Sequence, residues 1–584
     1  MMCIIMSLTF VTAYINIYNN ATPLDRTNSW RFDHFKKIAI TGIQLCVFVG
    51  EDVYDDFIEI TKQYSNVYVM PPVIWSELPI VQECAKYEGL KLPEIRHNEK
   101  DTAEYIMLQN SKSHFVQEAI CENHWNSTHF AWIDFSIAYI FHNLKKSQEY
   151  LHYLSKRSWT KPFFSIPGCW GNKYNETVHS HFLNNIHWRF CGGFFIGDRS
   201  SMEGFVQEFH HQFNQYIETY KTLIWEVNIW AWMEGKGNWN PIWYKADHND
   251  SILVLHPSVI AQPLIIDKEC CVDLPKMNEY IPSSSSYVQD YVGRHTLNTR
   301  FVNYFLNPCG SYTFLDKTSI IKTRNVMSLL NNNEYSVEKS IEMKETTVGL
   351  PKLLDGYIAE GLEDIRLYNF QDGVRFIAST NNYSADSRIQ MVVGNYLPER
   401  GEYSGCTIVE APDLKSRQEK NWTPFVRTVQ DDEKLLFRKT TVRKEEWFIY
   451  KWCPMELGKI VTNENGMRQL VIEERIETAH IPWFCRFRGS TPLVECEKGW
   501  VCVVHFSEEG SPRKYYHNFV WLDRITMKPI QYSDPFYFKQ EGVEFCTGMK
   551  IHDEKTNCFV LWISQFDRDP LMVIGRPRIV HTIE

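Results

Sequence analysis

Four aromatic-rich runs of strand length recur along the second half of this chain, and they constrain its fold more than any other feature. They occupy residues 374–379, 447–452, 500–505 and 558–564, at intervals of about 50–70 residues. Each interval suits one four-stranded blade with its loops, and the stretch from 295 to 584 holds about five such intervals. A sandwich would also show many short strands, but it would not produce this recurrence. The spacing therefore predicts an all-β, five-bladed β-propeller over residues 295–584.

The first 265 residues have another texture. Strand-like runs at Leu8–Tyr14, Leu45–Val49, 67–70, 130–133 and 193–196 alternate with helical patterns such as 104–121 and 205–220. Apolar residues in those patterns fall at three- and four-residue spacing. Strand–helix alternation predicts an α/β, Rossmann-type domain with a mainly parallel sheet over residues 1–265. Between the two regions, Ser283, Ser284, Ser285 and Ser286 follow Pro282 as the one low-complexity patch, so residues 266–294 read as a linker.

Composition narrows the function classes. A net charge of −10 argues against a nucleic-acid binder, which needs a basic, phosphate-facing surface. Aromatic residues reach 14%, which suits either a large β-rich core or stacking against sugar rings and bases. The 16 cysteines are scattered, with no C-x-x-C pair, and most lie in apolar runs such as those around Cys46, Cys502 and Cys558. That usage predicts buried thiols in a reducing compartment. No run approaches the roughly 18–20 apolar residues that span a bilayer. Residues 1–10 are apolar but lack a basic region and a cleavage site, and they run on into the first strand. These features place the chain in the cytoplasm.

Candidate site residues follow from local pattern. Trp132 and Ile133 lead to Asp134 at the end of an apolar strand, with Phe135 and Ser136 after it. In an open α/β sheet such a carboxylate projects into the ligand crevice. There it either helps a divalent cation hold a diphosphate or caps the next turn; the motif alone does not separate the two. Gly192 and Gly193 before an apolar strand permit close approach of a backbone or ligand, or a tight bend. Glu226 opens an aromatic helix, and Asp247 with His248 offers a carboxylate and an imidazole near the domain's end.

The series Thr9–Tyr14 by residue, Lys100 to Tyr105, Asn110 to Lys112, Trp132 to Asp134, Cys191 to Phe194, and Asp247 with His248 resembles the HtrL/YibB-type family in order along residues 7–265. That family is grouped with GT-A glycosyltransferases and occurs in bacterial lipopolysaccharide clusters and large DNA viruses. The resemblance implies a metal at Asp134 and His248, Mn²⁺ or Mg²⁺. It implies Thr12, Tyr14, Thr102 and Lys112 near the nucleotide sugar, Gly192 and Gly193 near a sugar, and Glu226 as general base if the enzyme inverts. Ser136 stands where the usual GT-A signature has a second aspartate, so metal binding would be weaker or shared with His248.

In the second half, Asp364 and Arg366 precede one aromatic strand, Lys420 and Asn421 another, and Arg488 a third, with His505 and Tyr516 beyond. On equivalent inner strands they would converge on a channel holding an acid and several anion-binding groups, the inventory for glycosidic chemistry with phosphate. Taken singly, each is better read as a turn residue or blade-to-blade ion pair; the set together favours the channel. Their order is similar to the propeller family of β-mannoside phosphorylases and mannosyltransferases over about residues 295–580. That resemblance implies Asp364 as the acid and Arg366, Lys420, Asn421, Arg488, His505 and Tyr516 as sugar or phosphate ligands. Ile365 and Asn421 depart from the family's usual proline and acid.

The whole chain thus resembles a giant-virus glycosyltransferase. The expectation is transfer from a nucleotide-sugar donor to a glycan acceptor, with a second sugar-active domain and no nucleic-acid partner. The alternative is a glycan-binding protein that pairs a degenerate transferase scaffold with a lectin-like propeller.

Overall fold

A computed structural model describes residues 8–18, 26–157, 159, 161–331, 334–344, 359–382, 388–431 and 441–583. Of the apolar start, residues 1–7 lie outside the described residues. The chain divides into two compact units, Met1–Val259 and Ile260–Glu584.

The first unit is mixed α/β. Its sheet has seven strands: β1 (Leu8–Tyr14), β2 (Leu45–Val49), β3 (Val67–Val69), β4 (His129–Ile133), β5 (Phe164–Gly168), β6 (Phe194–Asp198) and β7 (Ile242–Lys245). They lie in the order β3-β2-β1-β4-β6-β5-β7. β1 pairs in parallel with β2 and β4, and β5 with β7, while β6 runs antiparallel to β4 and β5. β2 and β4 are buried along their whole length, as near-continuous apolar runs covered on both faces must be. The helical pattern at 104–121 is two helices, α1 (Ala103–Asn110) and α2 (Lys112–Glu122), which meet at Ser111. α3 (Arg199–Tyr220) buries Phe205, Phe209, Phe213 and Tyr216 along one stripe, and α4 (Glu226–Gly235) is buried from Glu226 to Glu234.

The second unit is all-β. Antiparallel groups of strands follow one another from Ile281–Gln289, Glu363–Phe370, Thr423–Asp431, Arg488–Gly489 and Glu544–Asp553, each the first strand of its group. The recurring aromatic runs are the second strands, Gly373–Thr380, Thr441–Trp452, Gly499–Glu508 and Cys558–Gln565. The first strands adjoin, with Ile281–Gln289 against both Glu363–Phe370 and Glu544–Asp553. Tyr287 stacks on Trp562 at 4.1 Å across the last of these junctions.

The segment expected as a linker is not one. Ile265–Cys271 is the outer strand of the last group, paired antiparallel with Arg568–Arg576, and Ile281–Gln289 is the inner strand of the first. The four serines are buried. Their small size suits a crowded junction, where a Cβ added at Gly548 would lie 2.9 Å from the Ser285 carbonyl oxygen. Their hydroxyls take part as well: Ser285 bonds to Thr299 at 2.9 Å, and Ser286 accepts from the Leu367 N–H at 2.9 Å. Low complexity here reflects close packing, not a solvated tether.

Cysteine use departs from expectation at one place, a disulfide between Cys453 and Cys485. Among the described residues no helix is long and apolar enough to cross a membrane.

Candidate functional site

In the first unit a cleft opens at the carboxyl ends of β4, β5 and β7. Its walls include Lys100, Tyr105, Lys112, Asp134, Gly192, Gly193, Glu226 and His248. Asp134 follows β4 directly. Its backbone N–H donates to the Gly193 carbonyl at 3.0 Å, which fixes the strand end against the two glycines. Oδ1 accepts from the Trp132 indole N–H at 2.8 Å and lies 3.2 Å from the Lys112 ammonium. Oδ2 accepts no hydrogen bond among the described residues, and the side chain is 43% exposed, so one carboxylate oxygen faces the cleft.

Lys112, at the start of α2, is buried. Its ammonium donates to the Gly192 carbonyl at 2.8 Å and to Glu226 Oε1 at 2.9 Å, besides its contact with Asp134. An ammonium has three donors, and all three are engaged by the protein. Burial alone would lower its pKa, but Asp134 and Glu226 outweigh burial and hold the amine above its ordinary range. Gly192 makes the arrangement possible. A Cβ there would stand 2.2 Å from Glu226 Oε1 and 3.0 Å from the Lys112 nitrogen. Gly192 therefore leaves room for an ion pair; the resemblance had put it and Gly193 near a sugar. Likewise Lys112, expected beside the nucleotide, has no donor left for it.

The resemblance also put Thr12, Tyr14 and Thr102 at the nucleotide; none of the three is among the residues that line the cleft. Thr102 is the N-cap of α1, its hydroxyl accepting from the Tyr105 N–H at 3.2 Å. Tyr14 packs on Phe32 and Phe135 and donates to Asn28. Thr12 is buried in β1, its hydroxyl unpartnered. Tyr105 and Lys100 are cleft residues that pattern reading missed. Burial, then Glu226 and Asp134, push the Tyr105 phenol far above its ordinary pKa. The Lys100 ammonium stands 5.1 Å from that ring's centre and is the more exposed of the cleft's two lysines.

His248 shares the cleft with Asp134, yet its ligand atom groups with those of Cys169 and Asp247, all within 4.8 Å of one another. Ser136 does not supply a second ligand: its hydroxyl is buried and unpartnered. Asp134 therefore offers one free oxygen. A cation that keeps water and phosphate oxygens in its other positions fits that set.

In the second unit, strands and turns of several groups bring together residues far apart in sequence. Arg300 lies 3.3 Å from Glu363 and 3.4 Å from Asp364, while Lys420 lies 3.0 Å from Glu363. Asp567 accepts from the Tyr304 hydroxyl at 3.1 Å. Burial raises the Glu363 pKa less than Arg300 and Lys420 lower it, so it stays ionised. Asp567 goes the other way. Burial pushes its pKa up, Arg300 offsets part of this, and Asp364 and Glu363 add to the rise. Asp364, Asn421 and Asp567 all have positive φ, at 52°, 67° and 52°. Asp and Asn tolerate that conformation better than most residues.

Several residues expected as phosphate or sugar ligands are buried within the protein. Arg366 is wholly buried. It donates to the backbone carbonyls of Ser490 at 2.7 Å, Gly489 at 3.1 Å and Asp364 at 3.1 Å, and to the Asn421 amide oxygen at 3.0 Å. His505 is buried with Nδ1 on the Ser490 hydroxyl at 2.8 Å, and burial, then His517, Arg366 and Arg488, hold it neutral. Tyr516 lies against Phe506 with its hydroxyl buried and unpartnered. Its neighbour Tyr515 is the one that feels Asp567 and Asp364 and packs against His505 at 5.9 Å. Side chains alternate along a strand, so a one-residue error moves a ligand to the opposite face. Arg488 is exposed.

Comparison with known proteins adds three findings. No curated protein matches the chain. About half of it superposes on solved structures at low similarity. The β-1,2-mannobiose phosphorylase from Listeria innocua is 11% identical over 52% of this chain and 92% of its own, with a TM-score of 0.32. The mannose phosphorylase MPT-4 from Leishmania mexicana gives 12%, 53%, 88% and 0.31. The GDP-Man-dependent mannosyltransferase MPT-1 from the same organism gives 10%, 53%, 91% and 0.33. Residues 6–223, which carry every strand of the α/β sheet except β7, match the family model described as a bacterial protein of unknown function, HtrL_YibB.

Proposed function

We propose that the α/β unit is a GT-A-type glycosyltransferase, moving a sugar from a nucleotide-sugar donor to a glycan acceptor in the cleft at Asp134. One observation carries this reading. A buried lysine holds two carboxylates at the carboxyl end of a central strand, and one of them keeps a free oxygen toward the cleft. The pair carries one more negative than positive charge, a place suited to a divalent cation that arrives with a diphosphate. Such a cation, Mn²⁺ or Mg²⁺, would be held by Asp134 and would neutralise the leaving nucleoside diphosphate.

The chain's own residues supply the rest. Glu226 Oε1 is fixed by Lys112, leaving the rest of the carboxylate to take the proton of an attacking acceptor hydroxyl. As that oxygen bonds to the anomeric carbon, the bond from this carbon to the diphosphate breaks. Lys100 is the cleft's available cation for the departing phosphates. Lys112 is a positioning residue: it sets the distance between the two carboxylates without touching substrate.

The second unit we read as a five-bladed propeller acting on, or holding, a sugar or sugar phosphate at the Arg300, Asp364, Lys420 and Asp567 cluster. Asp364 remains the proposed acid of that centre, with Asp567 beside it as a carboxyl that burial makes hold its proton more tightly than usual.

The test is donor turnover by the full chain with Mn²⁺ or Mg²⁺. The expected result is release of nucleoside diphosphate that falls at least 100-fold in Asp134→Asn, with the fold intact by circular dichroism. Binding of glycans without any nucleotide-sugar turnover or donor-induced thermal shift would favour the glycan-binding alternative, for which the use of all three Lys112 donors and the loss of an acid at Ser136 speak.

A further inference from the structure

β5 and β7 are parallel neighbours, with Gly168 opposite Lys245, so both strands end at the same edge of the sheet. The Ala246 N–H donates to the Gly168 carbonyl at 2.9 Å, locking the two exits together. Cys169 leaves one exit, and Asp247 and His248 leave the other. Their sulfur, carboxylate oxygen and ring nitrogen lie within 4.8 Å of one another. Each is held from behind. The Cys169 N–H donates to the Trp188 carbonyl at 3.0 Å, and Asp247 Oδ1 accepts the His248 N–H at 2.8 Å. The Trp188 ring meets the His248 ring edge-on at 4.7 Å.

A thiol, an imidazole and one carboxylate form a donor set unlike that of Asp134. Hard cations such as Mg²⁺ and Mn²⁺ prefer oxygen, whereas sulfur and nitrogen select zinc. Tetrahedral zinc ligands at about 2.0–2.3 Å stand roughly 3.3–3.6 Å apart, within side-chain rotation of the observed spacing. We propose that Cys169, Asp247 and His248 form a zinc site on the rim of the cleft, with a fourth position open toward the space that His248 lines. Binding replaces the Cys169 S–H bond with an S–Zn bond and releases the proton to solvent. His248 then belongs to this site and not to the cation at Asp134. The site stands without the transferase reading, since metal binding is measured without turnover.

Cobalt provides the probe. The full chain, freed of metal by a chelator and kept reduced with a phosphine, is titrated with Co²⁺ and then Zn²⁺. One equivalent of Co²⁺ should give a near-ultraviolet thiolate-to-cobalt band and the visible spectrum of four-coordinate cobalt, and Zn²⁺ should displace it. Cys169→Ser should lose the band and weaken Zn²⁺ binding by more than the roughly 10–100-fold that follows loss of an outer-shell partner. His248→Ala should do the same, and serves if the serine variant does not fold. Asp134→Asn and Cys191→Ser should keep the band; Cys191 is the control thiol, its sulfur 3.5 Å from that of Cys169. Cobalt binding without a thiolate band, an unchanged Cys169→Ser, or loss of the band in Asp134→Asn would each overturn the proposal.

Discussion

Both units build their candidate centre from one basic side chain between two carboxylates, and they do it to opposite ends. In the α/β cleft, Lys112 is 4% exposed and Glu226 7%, but Asp134 is 43% exposed. The Lys112–Glu226 pair is shielded, and only Asp134 turns a largely open carboxylate to the cleft. In the propeller-type unit, Arg300, Glu363 and Asp364 are similarly shielded, at 10%, 14% and 15%. A third carboxyl, Asp567, joins them and is pushed toward its protonated form. The contrast teaches that a charged triad acquires a role through unequal exposure in one case and unequal protonation in the other.

The sharpest way to break this comparison is to remove the buried cation. Lys112→Met leaves Glu226 ionised and alone, at a cost of about 3–5 kcal/mol in stability. Adding Glu226→Gln should recover more than half of that loss in chemical denaturation. A single substitution that costs under about 1 kcal/mol would show that the pair is not scaffold. Next in size is Gly192→Ala, whose methyl enters the ion pair. Overpacking should cost about 1–3 kcal/mol, and donor turnover should fall by more than stability accounts for, measured at a temperature where both proteins are folded.

Asp567 tests the protonation half. A carboxyl whose folded pKa lies above its unfolded value of 3.8 binds a proton more tightly in the folded chain. It therefore favours folding at low pH, and that contribution is lost as pH rises through the folded value. Asp567→Asn keeps the hydrogen-bonding shape without the charge. It should raise the melting temperature at pH 7 and flatten the part of the pH–stability curve just above pH 4. The smallest effect belongs to Tyr516→Phe, within about 0.5 kcal/mol of the parent, because its hydroxyl has no partner to lose. A large loss of sugar-dependent activity in that variant, absent from Tyr515→Phe, would restore Tyr516 to the site.

The sequence made some of this legible. Continuous apolar runs gave away β1, β2 and β4, and the recurrence of aromatic strands gave the repeat of the second unit. Asp134 could be found because it ends an apolar strand. β5 and β7 escaped notice: Phe164–Gly168 contains serine, proline and glycine, and Ile242–Lys245 is only four residues long. The serine run was misread because burial there follows from size and not from hydropathy. Pairings were the least visible layer. Lys112 and Glu226 are 114 positions apart, and Arg300 carries no local signature that ties it to Glu363. Tyr515 and Tyr516 differ only in strand parity, which an isolated motif does not reveal.

The strand Ile265–Cys271 has one more consequence. It is made early yet pairs with Arg568–Arg576, with Cys271 opposite Leu571. During synthesis this segment leaves the ribosome some three hundred residues before its partner exists. Until then it presents unpaired backbone to whatever lies near. Contacts so distant along the chain are slow to form, so the closing of this group waits until residues 568–576 have been made.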